Sequence, residues 1–235
     1  MRVLAMTNYR MGDISKATVS RMAMYLRCLT YLEQQGASAL SSRDLASLTG
    51  VSAEQVRQDL SVFGRFGKRG TGYDVVQLKG EVEAIFGRGV ERWKCCIVGV
   101  GSLGTALIAS RTVQKWGFRY VAAFDIDPSK IGTRVERIPV YSVDELKAVV
   151  RREHVAIGVI AVPASGAQAV ARILCEAGIR GILNFAPQNV KVPEKVPVLS
   201  VDLSQEFLKL SFYIQSAEQR AREEQAQIDS ASHSE

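Results

Sequence analysis

Three glycines form the pattern with the clearest chemistry in this sequence. Gly99, Gly101 and Gly104 stand as G-x-G-x-x-G directly after the apolar run at residues 95–98. Such glycines let the chain turn tightly, let the backbone approach a pyrophosphate and let the next helix pack on the strand, with its N-terminus facing the anion. The sequence therefore predicts a phosphate-binding loop made of Gly99, Val100, Gly101, Ser102, Leu103 and Gly104.

An acidic residue follows this loop at the distance expected for a dinucleotide site. Asp125 ends the next apolar run, YVAAFDID, 21 residues after Gly104. A carboxylate in that place bonds the ribose hydroxyls and disfavours a 2′-phosphate. We therefore predict NAD(H), rather than its 2′-phosphorylated form, as the cofactor.

The rest of this half alternates between apolar runs and helical patterns, which predicts an α/β fold with a doubly wound parallel sheet. Ligands of such sheets lie at the carboxyl ends of the strands. Val162, Pro163, Asn184 and Phe185 fall at two of these ends and are candidates for the nicotinamide side. The alternative is that these are ordinary loops, in which proline only interrupts the regular structure.

A catalytic site would need a proton donor or acceptor near the nicotinamide. The chain has two histidines: His154 precedes a strand, at the wrong end for a site, and His233 lies in a polar tail. No Tyr is followed four residues later by Lys. We predict no catalytic residue and no metal, which favours a binding protein. A dehydrogenase with an accessory N-terminal domain stays as the alternative.

The first ninety residues carry a helix-turn-helix pattern. A long amphipathic helix at 18–34 is followed by a short one ending at Gly50 and by a third, where Ser52 and Gln55 form a capping-box signature. Opposite the apolar stripe of the third helix lie polar residues able to reach base edges. The candidates for DNA contact are Ser52, Gln55, Arg57, Gln58 and Ser61; a solvated face of a small bundle is the alternative.

A basic glycine-rich segment, FGKRGTGYDV, follows the third helix and predicts the hairpin of a winged helix. Lys68 and Arg69 at its tip, with Tyr73, are further candidates for DNA contact. Residues 1–90 hold 12 Lys and Arg against 8 Asp and Glu, an excess of four within a total net charge of +6. This excess is a modest indication of a polyanionic partner.

The chain ends in an apolar helical pattern with no strand after it. Leu203, Phe207, Leu210 and Ile214 share one stripe, which Leu208 and Phe212 broaden. We expect it to pack on a partner subunit rather than on its own domain, because two-fold dimers match paired half-sites on DNA. The predicted divisions are residues 1–86, 87–203, 204–227 and a disordered tail at 228–235.

Composition places the chain among ordinary globular proteins, with 47% hydrophobic and 23% charged residues. No run reaches the length of a membrane span or of a signal peptide, so we expect a soluble cytoplasmic protein. The four cysteines form no metal-binding spacing and are expected to be reduced thiols.

Over roughly residues 14–220 the sequence resembles Rex, the bacterial redox-sensing repressors. The resemblance rests on YLRCL, QVRQDLSVFG, RGTGYDV, the glycine loop with FDIDP, AVPASGAQ and AGIRGILNFAP. It implies a homodimer with winged-helix and NAD(H)-binding Rossmann domains and an exchanged terminal helix. It also implies binding to double-stranded operator DNA that is released as NADH rises, and a coupling role for Arg27 and Asp202.

Two positions depart from the family pattern. Gln58 stands where the family usually has Lys in the helix that reads DNA, which bears on operator specificity. Ser110 stands where the family usually has a Tyr close to the nicotinamide, which bears on the response to NADH. A repressor that binds DNA but has lost or altered this response is therefore a further alternative.

Overall fold

A computed structural model describes residues 14–64, 66–67, 72–87 and 93–232, without the side chains of 111–112 and 224–232. The chain divides into two compact units, Met1–Arg92 and Trp93–Glu235. The division falls six residues after the boundary predicted between residues 86 and 87.

The first unit consists mainly of helices. In chain order they are α1 (Lys16–Gln34), α2 (Ser42–Thr49), α3 (Ala53–Phe63) and α4 (Val75–Ile85), with two short strands, β1 (Ala39–Leu40) and β2 (Tyr73–Asp74). Apolar side chains from all four helices are buried between them, among them Met22, Leu45, Leu60 and Val82. The predicted helix-turn-helix corresponds to α2 and α3.

Serine residues begin the two central helices of this unit. Ser41 and Asp44 form a reciprocal capping box at α2. At α3 the Ser52 side chain accepts from the backbone N–H of Gln55, but the Gln55 amide donates to Asp59. The predicted capping box at Ser52 is thus only half formed, because the Gln55 side chain is directed toward the buried carboxylate of Asp59, to which it donates a charge-assisted hydrogen bond.

Gly67 and Gly72 of the glycine-rich segment lie close together, but the strand that follows has a different partner from the one expected. A Cβ on Gly67 would lie 2.5 Å from the carbonyl oxygen of Gly72, so the chain returns close to its starting point. The strand β2 pairs antiparallel with β1, Leu40 opposite Tyr73. Asp74 then caps α4, a helix that the sequence pattern did not predict. Lys68 and Arg69 lie outside the described residues.

The second unit is built on a seven-stranded sheet. Its strands are β3 (Trp93–Val98), β4 (Phe118–Asp125), β5 (Arg134–Val135), β6 (Ile138–Ser142), β7 (Ile157–Ile160), β8 (Gly181–Asn184) and β9 (Val198–Ser200). Their order is β5-β6-β4-β3-β7-β8-β9, parallel except for β5 against β6. The six parallel strands therefore have the order of a dinucleotide-binding fold, with the switch point between β3 and β7.

The helices cover the two faces of this sheet unequally. They are α5 (Ser102–Ala109), α6 (Arg111–Lys115), α7 (Leu146–Glu153), α8 (Ala164–Ala177) and α9 (Leu203–Ser232). One face is packed with side chains of α7 and α8. The other carries α5 and α6, and no helix lies between β8 and β9 in the chain. An apolar groove of about 460 Å³ therefore remains, lined by residues such as Cys95, Trp116, Tyr120, Val159, Leu183 and Phe185.

The last helix, α9, presents its apolar stripe to solvent within the single chain. Phe207 is 73% exposed, and Leu203, Leu208, Leu210 and Phe212 are also exposed. The helix continues to Ser232, five residues into the segment predicted to be disordered. Within the described part of the chain, no helix combines the length and apolarity that crossing a bilayer requires.

Candidate functional site

The glycine loop after β3 is shaped by two close backbone contacts. Gly99 has a φ of +98°, and a Cβ there would collide with the carbonyl oxygen of Ala161 at the end of β7. A Cβ on Gly104 would collide with the carbonyl oxygen of Gly99. Both positions therefore require glycine, the first for the turn and the second for the close approach of α5 to β3.

Gly101 is different, because a Cβ there would meet no atom within 4 Å. It is the N-cap of α5, and no side chain caps that helix. The N-terminus of α5 thus lacks a side-chain cap, and helix N-termini of this kind can bind a phosphate. Ser102 and Leu103 flank this opening and are exposed, whereas the Val100 side chain is buried. The residues present fit a dinucleotide pyrophosphate.

Asp125 lies at the end of β4, beside the loop. Its Oδ2 accepts from the backbone N–H of Val100 at 2.8 Å, and its Oδ1 accepts from that of Asp127 at 3.0 Å. The side chain of Lys130 is 3.3 Å from Oδ2. Burial to 8% exposure opposes ionisation, but these donors outweigh it and lower the pKa of Asp125. An ionised carboxylate is therefore held where a ribose diol would lie.

Sequence reasoning did not select Lys130. It follows Asp125 by five residues in the loop after β4 and also approaches Asp127 at 3.6 Å. Its charge is balanced by the two carboxylates. The weak signal was the acidic-basic spacing in FDIDPSK, which is common on protein surfaces and does not by itself indicate a site.

The four residues predicted at strand ends lie in different surroundings. Val162 neighbours the glycine loop, since a Cβ on Gly99 would be 3.0 Å from its Cγ1, and Pro163 is the exposed N-cap of α8. Asn184 is fully buried, and its amide donates to the carbonyl of Gln188 at 2.8 Å while its oxygen accepts from Ala186 N–H. Its side chain holds the turn after β8, and its role toward a cofactor stays a prediction. Phe185 lines the apolar groove.

Among the described residues, the candidate acid–base, nucleophilic and metal-binding groups are poorly placed for catalysis. His154 ends α7 in a left-handed conformation at the amino end of β7, away from the glycine loop. Burial raises the pKa of the Cys95 and Cys96 thiols to about 12, so both are protonated and poor nucleophiles. Over the described ranges there is no cluster of His, Cys, Asp and Glu able to hold a metal ion.

In the first unit, the outer face of α3 is polar and accessible. Arg57, Gln58 and Ser61 are all exposed, as is the cap Ser52. The Arg57 guanidinium donates to the hydroxyl of Ser42 at the start of α2, at 3.0 Å. Its charge also acts on Tyr73, whose pKa is raised by burial against the lowering effect of Arg57. Arg57 is thus close to both α2 and the strand β2, while its role toward DNA stays a prediction.

The inner face of α3 carries a buried acid that sequence reasoning missed. Asp59 is 1% exposed and receives the Arg21 guanidinium, the Tyr25 hydroxyl and the Gln55 amide. Burial opposes its ionisation, but these donors lower its pKa. The available signal was an acidic residue inside the apolar stripe of Val56, Leu60 and Phe63.

The three residues expected to couple the domains have the following positions. Arg27 is exposed on α1. Ser110 ends α5 and precedes α6, with its N–H donating to Ala106. Asp202 accepts from the backbone N–H of Ser204 at 2.9 Å and so caps α9. Their coupling roles stay predictions.

The two units define a class of protein: a helix-turn-helix unit joined to a dinucleotide-binding sheet. Two protein-family models match the chain: "Putative DNA-binding protein N-terminus" over residues 13–61 and "CoA binding domain" over residues 90–188. The redox-sensing transcriptional repressor Rex of Carboxydothermus hydrogenoformans is 46% identical over 86% of this chain and 96% of its own length. That of Streptomyces coelicolor is 42% identical over 94% and 84%.

Solved structures agree with these relatives. The structure of RSP in complex with β-NAD⁺ and operator DNA has a TM-score of 0.82 and 33% identity, covering 89% of this chain and 96% of that one. RSP in complex with β-NADH also has a TM-score of 0.82, at 32% identity, covering 89% and 98%. The chain belongs to the Rex family of redox-sensing transcriptional repressors. The predicted fold class is confirmed, and the relatives are repressors rather than enzymes.

Proposed function

We propose that this chain forms a homodimer that holds operator DNA through α3 and the segment around residues 68–73, and releases it when NADH binds at the glycine loop. One observation carries the proposal. A single chain pairs an exposed Arg57-Gln58-Ser61 face on one unit with an open glycine loop and an ionised Asp125 on the other. Nothing in the described surroundings of that loop offers a proton relay.

At the cofactor site, the N-terminus of α5 would hold the pyrophosphate and Asp125 the adenine ribose. Bound nicotinamide supplies a ring whose charge changes with its redox state. Val162 and Phe185, at the ends of β7 and β8, would border the nicotinamide side. NAD(H) is favoured over a 2′-phosphorylated cofactor because the ionised carboxylate of Asp125 would repel the extra phosphate.

At the DNA site, Arg57 and Gln58 would contact base edges, and Ser52, Gln55 and Ser61 would contact the backbone. Lys68, Arg69 and Tyr73 would supply the wing contacts. The solved RSP complex with operator DNA supports this assignment, since that protein shares this chain's fold over most of its length.

The dimer would form by exchange of α9. The single chain exposes the apolar stripe of α9 and leaves an apolar groove of about 460 Å³ on the sheet. Exposed apolar surface of this extent marks an interaction site. A partner's α9 seated on that groove would cover both surfaces, and the resulting two-fold axis would match paired half-sites on DNA.

Each segment of the chain then has its own role. Residues 1–86 would bind DNA, 87–203 would bind the cofactor, 204–227 would form the dimer and 228–235 would be a tail. We place the protein in the cytoplasm, where thiols stay reduced, since all four cysteines are unpaired.

The signal would pass from the cofactor site to the DNA site as a change in dimer geometry through Arg27 and Asp202. A ligand can shift that geometry only by its differential affinity, and a coupling of about 1–3 kcal/mol changes DNA affinity about 5- to 150-fold.

A second candidate function rests on Ser110. Serine at this position is short and lies in the break between α5 and α6, so it reaches less far than the Tyr usual in the family. A repressor whose response to NADH is reduced or absent is the alternative that this observation favours.

Selection of duplexes from a random pool by the full-length protein tests the proposal. We expect a two-fold symmetric sequence whose half-sites are about one or more helical turns apart. Light scattering should give a dimer of the 25.7 kDa chain, and Leu210→Glu on the α9 stripe should weaken it, whereas Lys209→Gln on the same helix should not. No enriched sequence, or a monomer in the wild type, would reject the proposal.

A further inference from the structure

Asp59 lies on the side of α3 opposite Arg57. It follows Arg57 by two residues, which is about 200° around a helix. It is buried between Val56 and Leu60, in the stripe that packs against α1. A charged group in this place is costly unless every one of its oxygens is bonded.

Both carboxylate oxygens of Asp59 are fully engaged. Arg21 on α1 donates from Nε to Oδ2 at 2.6 Å and from Nη2 to Oδ1 at 2.7 Å. The Tyr25 hydroxyl, one turn along α1, donates to Oδ2 at 2.8 Å. Gln55, one turn back on α3, donates to Oδ1 at 3.0 Å. Three of the four bonds therefore cross from α1 to α3.

The geometry of these bonds restrains rotation as well as distance. A bidentate guanidinium–carboxylate pair is planar, and both of its bonds are lost together when one partner turns. The Tyr25 hydroxyl adds a third fixed point at the same carboxylate. Rolling of α3 about its own axis would break these bonds, whereas the neighbouring apolar contacts of Val56 and Leu60 are non-directional and would tolerate a small roll.

We propose that Asp59 is a positioning residue for DNA reading, which fixes the roll of α3 on α1 and so aims Arg57 and Gln58 at base edges. The inference rests on the proposed function, since it takes α3 as the helix that reads the operator. Buried ion pairs are weak contributors to stability, and apolar residues of similar volume often serve as well. A directional network on the reading helix is therefore better explained by orientation than by stability.

A role in aiming side chains has a specific consequence. Contacts to bases depend on the direction of Arg57 and Gln58, whereas contacts to phosphates depend mainly on positive charge near the duplex. Loosening the roll of α3 should therefore reduce affinity for the operator while affinity for unrelated DNA stays the same. A purely structural role would lower the melting temperature without changing this ratio in the folded protein.

The test compares three full-length variants with the wild type. Arg21→Lys keeps the positive charge but loses the pair of parallel hydrogen bonds that the guanidinium donates to Asp59. Tyr25→Phe removes one hydrogen bond to Asp59. Lys79→Gln is the matched control, because the 2.6 Å pair of Lys79 with Glu33 joins α4 to α1 without touching α3. For each protein, affinities for the duplex selected by the wild type and for a scrambled duplex are measured without cofactor, well below the melting temperature.

We expect the ratio of selected to scrambled affinity to fall about tenfold or more in Arg21→Lys, the scale of one lost base contact, and less in Tyr25→Phe. The scrambled affinity and its salt dependence should not change, and Lys79→Gln should match the wild type. An unchanged ratio in Arg21→Lys and Tyr25→Phe overturns the inference, even with a lowered melting temperature. If the wild type itself shows no sequence preference, the proposed function fails instead.

Discussion

Asp125 accepts a 2.8 Å hydrogen bond from the backbone N–H of Val100, so the end of β4 is tied directly to the glycine loop after β3. One carboxylate thus shapes the loop and, in the proposed function, also bonds the ribose. The end of β4 and the glycine loop therefore hold each other in place.

Replacing Asp125 tests this double role. Asp125→Asn should lower NADH affinity about 10- to 100-fold, since a charge-assisted bond to the ribose is lost. The measurement is a titration of NADH fluorescence. Asp127→Asn is the control, because Asp127 also approaches Lys130 but does not bond the glycine loop. Equal losses in the two variants would contradict the assignment.

The sequence predicted the parts of this site that depend on local geometry. Gly99 and Gly104 were identifiable from their spacing, and the structure gives the reason, since a side chain there would collide with neighbouring backbone. Gly50 likewise ends α2 as predicted, in a left-handed conformation. The pairing of β2 with β1 and the bonds of Asp59 to Arg21 and Tyr25 could not be predicted, because they join residues more than thirty positions apart. The bonds of Asn184 to its own turn could not be predicted either, because a buried amide serves a turn as readily as a ligand.

Two glycines of the loop should respond differently to alanine. Gly104→Ala would force its Cβ against the Gly99 carbonyl, so we expect loss of both NADH binding and about 1–3 kcal/mol of stability. Gly101→Ala meets no protein atom and should cost at most about 0.5 kcal/mol, while its methyl group occupies the space for the pyrophosphate. Thermal melting without cofactor and NADH titration separate the two effects. Unimpaired NADH binding by Gly101→Ala would argue against a phosphate site here.

Two substitutions on the outer face of α3 should distinguish contacts to DNA bases from contacts to phosphates. Arg57→Ala should weaken operator binding about 5- to 150-fold and relax specificity at one position of the half-site. Gln58→Lys restores the residue usual in the family and should strengthen binding to all duplexes, steepening the salt dependence by about one unit. Gel shifts at several salt concentrations measure both. An Arg57→Ala protein with wild-type specificity would exclude α3 as the reading helix.

Ser110 is the position where the response to NADH is expected to be weakest. Ser110→Tyr fits the backbone, which has a φ of −68° there, and gives a longer side chain able to reach across the break between α5 and α6. We expect a larger effect of NADH on operator binding, with NADH affinity itself little changed. Ser110→Ala is the size-matched control and should behave as the wild type. If the tyrosine variant shows no larger effect, Ser110 does not limit the coupling.

The account depends most on linkage between the two units, and operator affinity with NADH, with NAD⁺ and without cofactor measures it most directly. At fixed salt, and with cofactor above its own dissociation constant, we expect NADH to weaken operator binding about 5- to 150-fold and NAD⁺ to do so much less. Equal effects of NADH and NAD⁺ on DNA binding, or no effect of NADH although it is bound, would contradict redox sensing by this protein.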